Sequence, residues 1–255
     1  MVASLPAEVL THMALTISFN TGFMKLVRAI AAGETETALR LISESVELAQ
    51  ARSEVGATRQ MAKLYFFEEI GHYLNIGDTA LHVAAAGYKW EIAQVLIARG
   101  ADCAVKNRLG AEPLHYAADA NIWNPTAQAS TITGLIGAGA NPNSLDKNGA
   151  SPLHRAVRTR GAAAVEALLV GGALPRRANK RGSTPLHLAV QTTGRGGSGA
   201  PQAVEQQRQI ILLLLQWGAN LDDQDGRGKT VADCIKTNRT EWIRELIRAF
   251  SHPTG

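Results

Sequence analysis

The chain has 255 residues, of which 45% are hydrophobic and 19% are charged, and its formal net charge is +4. This composition is typical of a folded protein and excludes an intrinsically disordered chain. The positive charge is small and is not gathered into a run, so we do not expect nucleic acid as a partner.

The start of the chain gives no sign of a targeting segment. Residues 1–23 are interpreted as an N-terminal leader or helix, with Met24 as an alternative start. They lack the basic region and cleavage site of a secretory signal, and no apolar stretch approaches the roughly 18–20 residues that cross a bilayer. The cysteines, Cys103 and Cys234, lie far apart, and we expect no disulfide. These features favour a cytoplasmic protein that does not associate with membranes.

Within residues 24–48, Lys25–Gly33 and Thr37–Ile42 look like a helix pair that lacks a capping turn. Residues 49–76 form an insertion. Within it, the segment Thr58–Leu74 has apolar residues at helical spacing, which predicts an added amphipathic helix. Its apolar stripe would be Leu64, Phe67, Ile70 and Leu74. The helix would either cover the open end of the molecule or present Tyr65, Phe66 and Tyr73 as part of a binding surface.

A short motif then repeats between residues 77 and 228. Its copies are Thr79-Ala-Leu-His82, Glu112-Pro-Leu-His115, Ser151-Pro-Leu-His154 and Thr184-Pro-Leu-His187. Their histidines are 33, 39 and 33 residues apart. A glycine–alanine pair follows each copy, at Gly100, Gly139, Gly172 and Gly218. The extra residues of the second and fourth units fall between these two markers, so both insertions lie at one equivalent position in the repeat.

The residues of each unit predict two helices and a turn. The hydroxyl that opens most copies can cap a helix, and proline suits the first helical turn. Alanines such as Ala84-Ala85-Ala86 allow close packing, whereas the second helix is aliphatic. Glycine then ends it in a left-handed conformation, and an Asn/Asp-rich stretch forms a projecting finger. We interpret the four histidines as structural residues that hydrogen-bond neighbouring backbone, rather than as metal ligands.

The Thr-Pro-Leu-His-x-Ala motif, the Gly-Ala-Asn/Asp ending and the 33-residue period resemble the ankyrin-repeat family. The resemblance covers roughly residues 77–250, with four full repeats at 77–228. Residues 24–48 and 229–250 would be degenerate N-terminal and C-terminal cap repeats of a 24–255 domain, giving about six units. The resemblance implies an all-α ankyrin-repeat solenoid of stacked helix-turn-helix units with short fingers. It also implies that the protein is a binding module for a protein partner, acting through the concave and finger surface, and we expect a monomer.

The fingers supply the first set of candidate binding residues. They are basic and lie in the finger turns: Lys106, Arg108, Lys147, Arg176, Arg177, Lys180 and Arg181. The third finger, Arg176–Arg181, is distinctly basic, and the fourth, Asp222–Asp225, is acidic. This pattern predicts a protein partner with an acidic patch opposite the third finger.

The loops between the two helices of a unit supply an alternative. The two insertions and the corresponding loop of the third unit should stack along one edge, with Trp123, Asn124, Arg158, Arg160 and Arg195 in one neighbourhood. Arginines and exposed backbone N–H groups suit a phosphate or carboxylate. The alternative function is therefore binding of a small anionic ligand or metabolite at this edge, with a catalytic role left open. Surface loops also tolerate insertions without any function.

No residue pattern predicts a catalytic centre, a metal site or a cofactor. Gly228-Lys-Thr230 resembles the end of a phosphate-binding P-loop, but Asp223 stands where that motif requires its first glycine. Neither cysteine has a cysteine or histidine at metal-ligand spacing. We therefore favour a binding protein over an enzyme.

Overall fold

The computed structural model describes residues 21–120, 122–191, 200–237 and 241–251. The helices are α1 (covering residues 21–32), α2 (Thr35–Glu44), α3 (Glu47–Gln50), α4 (Ala80–Ala86), α5 (Trp90–Ala98), α6 (Pro113–Ala117), α7 (Pro125–Gly137), α8 (Pro152–Arg158), α9 (Ala162–Val170), α10 (Pro185–Ala189), α11 (Pro201–Gln216), α12 (Val231–Thr237) and α13 (Glu241–Ser251). Two short strands, β1 (Phe66–Phe67) and β2 (His72–Tyr73), pair antiparallel.

The helices form two layers. The shorter helices α4, α6, α8, α10 and α12 pack against one another in an inner layer, and α5, α7, α9, α11 and α13 do so in an outer layer. The core runs continuously between the layers. Alanines close the inner layer, as at the fully buried Ala84 and Ala85, while leucine and isoleucine fill the outer one. The predicted all-α solenoid is confirmed.

The repeated histidine joins each unit to the next. Its Nδ1 accepts a hydrogen bond from the backbone N–H of the capping residue three positions earlier, at 3.1–3.2 Å. Because Nδ1 accepts, Nε2 carries the proton and donates to a backbone carbonyl of the following finger. These carbonyls belong to Ala111, Ala150, Ser183 and Lys229. The predicted structural role of the histidines is confirmed.

The inserted segment is not the helix expected over residues 58–74. Short 3-10 turns at Ala62–Tyr65 and Glu68–Ile70 flank β1, and Gly71, with φ 58°, reverses the chain so that Phe66 pairs with Tyr73. Aromatic residues favour strands, and a left-handed glycine ends regular helix. Ile70 and Leu74 are buried as expected, but Leu64 is 68% exposed.

We call residues 62–74 the inserted hairpin. It does not cover the open end of the stack, because α2 packs against α5 there and Leu26 and Ile30 of α1 are buried in the same core. Ile70 instead packs on Gly87 at the end of α4. The cap repeat also begins earlier than Met24, because α1 includes residues 21–23 and Phe23 is buried in the core.

One helix–helix contact depends on a glycine. A Cβ on Gly134 of α7 would lie 2.5 Å from the ring of Trp90 on α5. We expect Gly134→Ala to lower the free energy of unfolding by about 1–3 kcal/mol, because overpacking outweighs the helix-propensity gain of alanine. Gly137→Ala is the matched control in the same helix, since its Cβ would meet nothing within 4 Å. Urea denaturation of both variants checks this, and equal stability of the two would contradict it.

Candidate functional site

The fingers are stiffened by a repeated turn. In each, the side-chain oxygen of an Asn or Asp accepts two backbone N–H bonds from residues two and four positions later. These turn residues are Asn107, Asp146, Asn179 and Asp225. Such turns fix a loop without help from neighbouring elements.

Backbone hydrogen bonds then join one finger tip to the next. The N–H of Lys147 donates to the carbonyl of Leu109 at 2.9 Å, and that of Lys180 donates to Asn148 at 3.2 Å. The N–H of Gly226 donates to Arg181 at 2.9 Å. The tips therefore form a continuous ladder, and the side chains at successive tips are held in a row.

Three of the seven predicted finger cations are already engaged. Arg176 forms a bidentate ion pair with Asp223 of the next finger, at 2.6 Å for its closest contact. Arg108 donates to the carbonyl of Ala57 beside the inserted hairpin, at 2.8 Å. Lys106 lies 3.6 Å from the Glu112 carboxylate. The expected basic third finger is thus partly neutralised by the acidic fourth.

The other finger cations are placed differently. Arg177 is half-buried, and its Nε has no hydrogen-bond partner among the described residues. Lys147, Lys180 and Arg181 are exposed, and no carboxylate of the described chain pairs with them. Arg227, which sequence reasoning missed, extends their line on the fourth finger. We call Lys147, Lys180, Arg181 and Arg227 the basic tip row.

A buried ion-pair network lies behind the fingers and was not foreseen from the sequence. Arg155 of α8, only 9% exposed, donates to Asp119 at 2.9 Å and to Asp146 at 3.1 Å. Burial opposes the charged form of Asp119, but the adjacent His72 and Arg155 hold the pKa of that carboxyl below its ordinary value. The network therefore joins α6, α8 and the second finger by charge.

The inserted hairpin is attached to the same network. His72 lies 3.7 Å from Asp119 and stacks on Tyr116 of α6, with ring centroids 4.1 Å apart. The Tyr116 hydroxyl donates to Asp78 and accepts from Asn75. Burial and the negative charge of Asp78 raise the pKa of Tyr116 well above its ordinary value. The hairpin thus packs against α4 and α6.

Comparison with family models agrees with this geometry. Residues 124–225 match the model described as ankyrin repeats (3 copies), and residues 76–108 match the model described as an ankyrin repeat. Together the matches cover more than half of the chain. The chain belongs to the ankyrin-repeat family.

The second copy of the repeat motif, Glu112-Pro-Leu-His115, lies between the two matched segments of this ankyrin-repeat protein. Ankyrin repeats are generally protein–protein interaction modules, so the family supports a binding function of that kind. Across the described residues, no helix combines the length and apolarity that a membrane span requires.

The predicted edge of the ankyrin stack is only partly assembled. Asn124 caps α7 by accepting the Ala127 N–H at 3.1 Å, and Trp123 lines a groove over α9 that neither Arg158 nor Arg160 lines. Arg158, with its side chain 63% exposed, lies 3.6 Å from Asp119. Arg160 adopts a positive φ of 61°. Arg195 lies outside the described residues. An anion site at this edge therefore stays a prediction.

Proposed function

We propose that this ankyrin-repeat protein binds the acidic surface of a protein partner along the basic tip row. The supporting observation is the backbone ladder, which holds Lys147, Lys180 and Arg181 in one row with no carboxylate of the described chain to neutralise them. A row of rigidly presented cations can match a negative patch, which speeds association and selects against basic partners.

The position of the inserted hairpin supports the same choice. It lies against α4 and α6 through Ile70 and His72, so the first two full repeats are covered on that side. The open finger surface therefore lies at the third and fourth full repeats, where Lys180, Arg181 and Arg227 are exposed.

Charge reversal tests the proposal. We expect the triple variant Lys147→Glu, Lys180→Glu, Arg181→Glu to bind partners captured from lysate roughly tenfold more weakly at low salt, because the complementary charges become repulsive. Quantitative mass spectrometry of the captured proteins identifies a partner. Titration calorimetry of that purified partner with wild type and with the variant then measures the change in Kd. For wild type, affinity should also fall as salt rises.

The matched control carries the same charge change elsewhere. Lys25→Glu, Lys63→Glu and Arg99→Glu replace exposed cations that lie away from the tips. If the control variant loses binding as strongly as the tip variant, net charge rather than the basic tip row explains the result. Undiminished capture by the tip variant would place the partner on another surface.

A further inference from the structure

A second open surface lies on the opposite, outer side of the stack. A groove of about 460 Å³ runs over α9, with Ala162 and Ala163 as its floor and Leu212 and Leu213 of α11 as one wall. Trp123, 61% exposed, lines its other side. We call this groove the α9 trough. Its volume falls within the range of about 300–1,000 Å³ that is usual for binding pockets.

The trough exists because the two insertions flank a repeat that has none. Trp123 lies in the first insertion, just before α7, and α11 is a 16-residue helix that follows the second. Between them α9 has 9 residues and presents small side chains. At the neighbouring α5–α7 contact, Trp90 instead packs directly against Gly134. Trp123 does not pack down on α9 in this way, and the trough therefore remains open.

The lining specifies the chemistry of an occupant. Apart from apolar residues it contains three glutamines and a single charged residue, Glu166 of α9. No cation of the described chain pairs with Glu166. A carboxylate and an exposed indole that line the same groove suit a cationic side chain, which can form an ion pair with the one and a cation–π contact with the other.

The lining also specifies the occupant's backbone. The trough is built from helices, whose backbone groups are paired internally. It therefore offers no strand edge to which an extended peptide could pair. Side chains alone can make the contact, and an amphipathic helix packs its ridges between helices in this way. An outer-side site would be separate from the basic tip row and could be occupied at the same time.

We propose that the α9 trough binds an amphipathic helix of a partner protein whose apolar face carries an arginine or lysine directed at Glu166 and Trp123. The cation distinguishes this partner from one that binds the basic tip row, which requires the opposite charge. A single chain could thereby hold two partners of opposite surface charge.

Selection from a displayed library of helical peptides tests the proposal. We expect enriched peptides to carry apolar residues at helical spacing with an arginine or lysine among them. Their affinity should fall at least tenfold for Glu166→Lys and for Trp123→Ala, but not for Trp217→Ala, which removes an exposed tryptophan that does not line the trough. The basic tip row variant should bind these peptides like wild type. Circular dichroism confirms that each variant folds.

Several results would overturn the proposal. Enrichment of no peptide above background would do so, as would enriched peptides that are acidic or insensitive to both trough substitutions. Binding of tetramethylammonium or arginine amide as tightly as the peptides would show that the trough takes a small cation and not a helix. Because the tip variant is measured in parallel, failure here leaves the test of the basic tip row unaffected.

Discussion

Replacing Arg155 with leucine is expected to lower the free energy of unfolding by about 3–5 kcal/mol. The guanidinium is buried between Asp119 and Asp146, at 2.9 and 3.1 Å. Its removal leaves two buried carboxylates without their main counter-charge, and desolvated charges that lose a partner are strongly destabilising. The next repeat has leucine at the equivalent position, Leu188, so the size and shape of a leucine side chain should be tolerated at position 155.

Urea denaturation of Arg155→Leu and of a rescue variant measures the effect. The rescue adds Asp119→Ala and Asp146→Asn, which are the residues found at the equivalent positions of other repeats, Ala86 and Asn107. It should recover at least half of the lost stability. Arg40→Leu, which breaks the exposed Arg40–Glu44 pair, is the control and should cost no more than about 0.5 kcal/mol. A loss below about 1 kcal/mol for Arg155→Leu would contradict the electrostatic role of the network.

Acidification should weaken the stack through its repeated histidines. Burial, with the nearby charge of Arg155, lowers the pKa of His115 from 6.5 to about 4. Burial also lowers the pKa of His82 and His154. Because the folded pKa is below the unfolded one, the unfolded chain binds more protons in acid. The stability contributed by the neutral histidines is fully present well above pH 6.5 and is lost as the pH falls towards 4.

Between pH 7 and pH 5, protonation linked to His115 alone should lower the free energy of unfolding by about 2 kcal/mol. His82 and His154 should lower it further. Chemical denaturation across that pH range measures the slope. His115→Gln removes one titrating group, so the variant should be less stable at pH 7 but show a shallower loss towards pH 5. Parallel profiles for the variant and wild type would show that His115 is not held neutral by the fold.

The regular part of the fold was predictable because its residues act locally or at a fixed repeat spacing. The Thr-Pro-Leu-His turn caps a helix by itself, and Gly100, Gly139 and their equivalents end the second helix wherever the motif recurs. The histidine bond to the next finger follows from the same period. Each of these features depends on residues within one unit or on the unit that follows it.

The inserted hairpin and the buried network were not predictable in the same way. Leu64, Phe67, Ile70 and Leu74 have helical spacing, yet pairing of Phe66 with Tyr73 around Gly71 sets the local structure. Tyr116 lies in α6 and Asp119 follows that helix, and only the fold shows that their partners come from the hairpin and from α8. Contacts over such sequence separation leave no local pattern.

The positions of the finger turns were predicted from the sequence, but the pairing of their charges was not. The ion pair of Arg176 with Asp223 joins successive fingers, and a charge count cannot show that two such residues neutralise each other. Arg227 was missed because it stands in a finger dominated by aspartates. The one signal that could have found it is its register, one residue before the Gly228 that ends the turn.

Hydrogen–deuterium exchange of the purified complex tests the central claim most directly, since it locates the partner on the ankyrin stack without any substitution. The basic tip row predicts slower exchange on binding at residues 146–149 and 179–182. It also predicts unchanged exchange in the inserted hairpin, residues 62–74, which is already docked against the repeats. Protection confined to the hairpin or to the outer helices, with both tips unchanged, would contradict the claim.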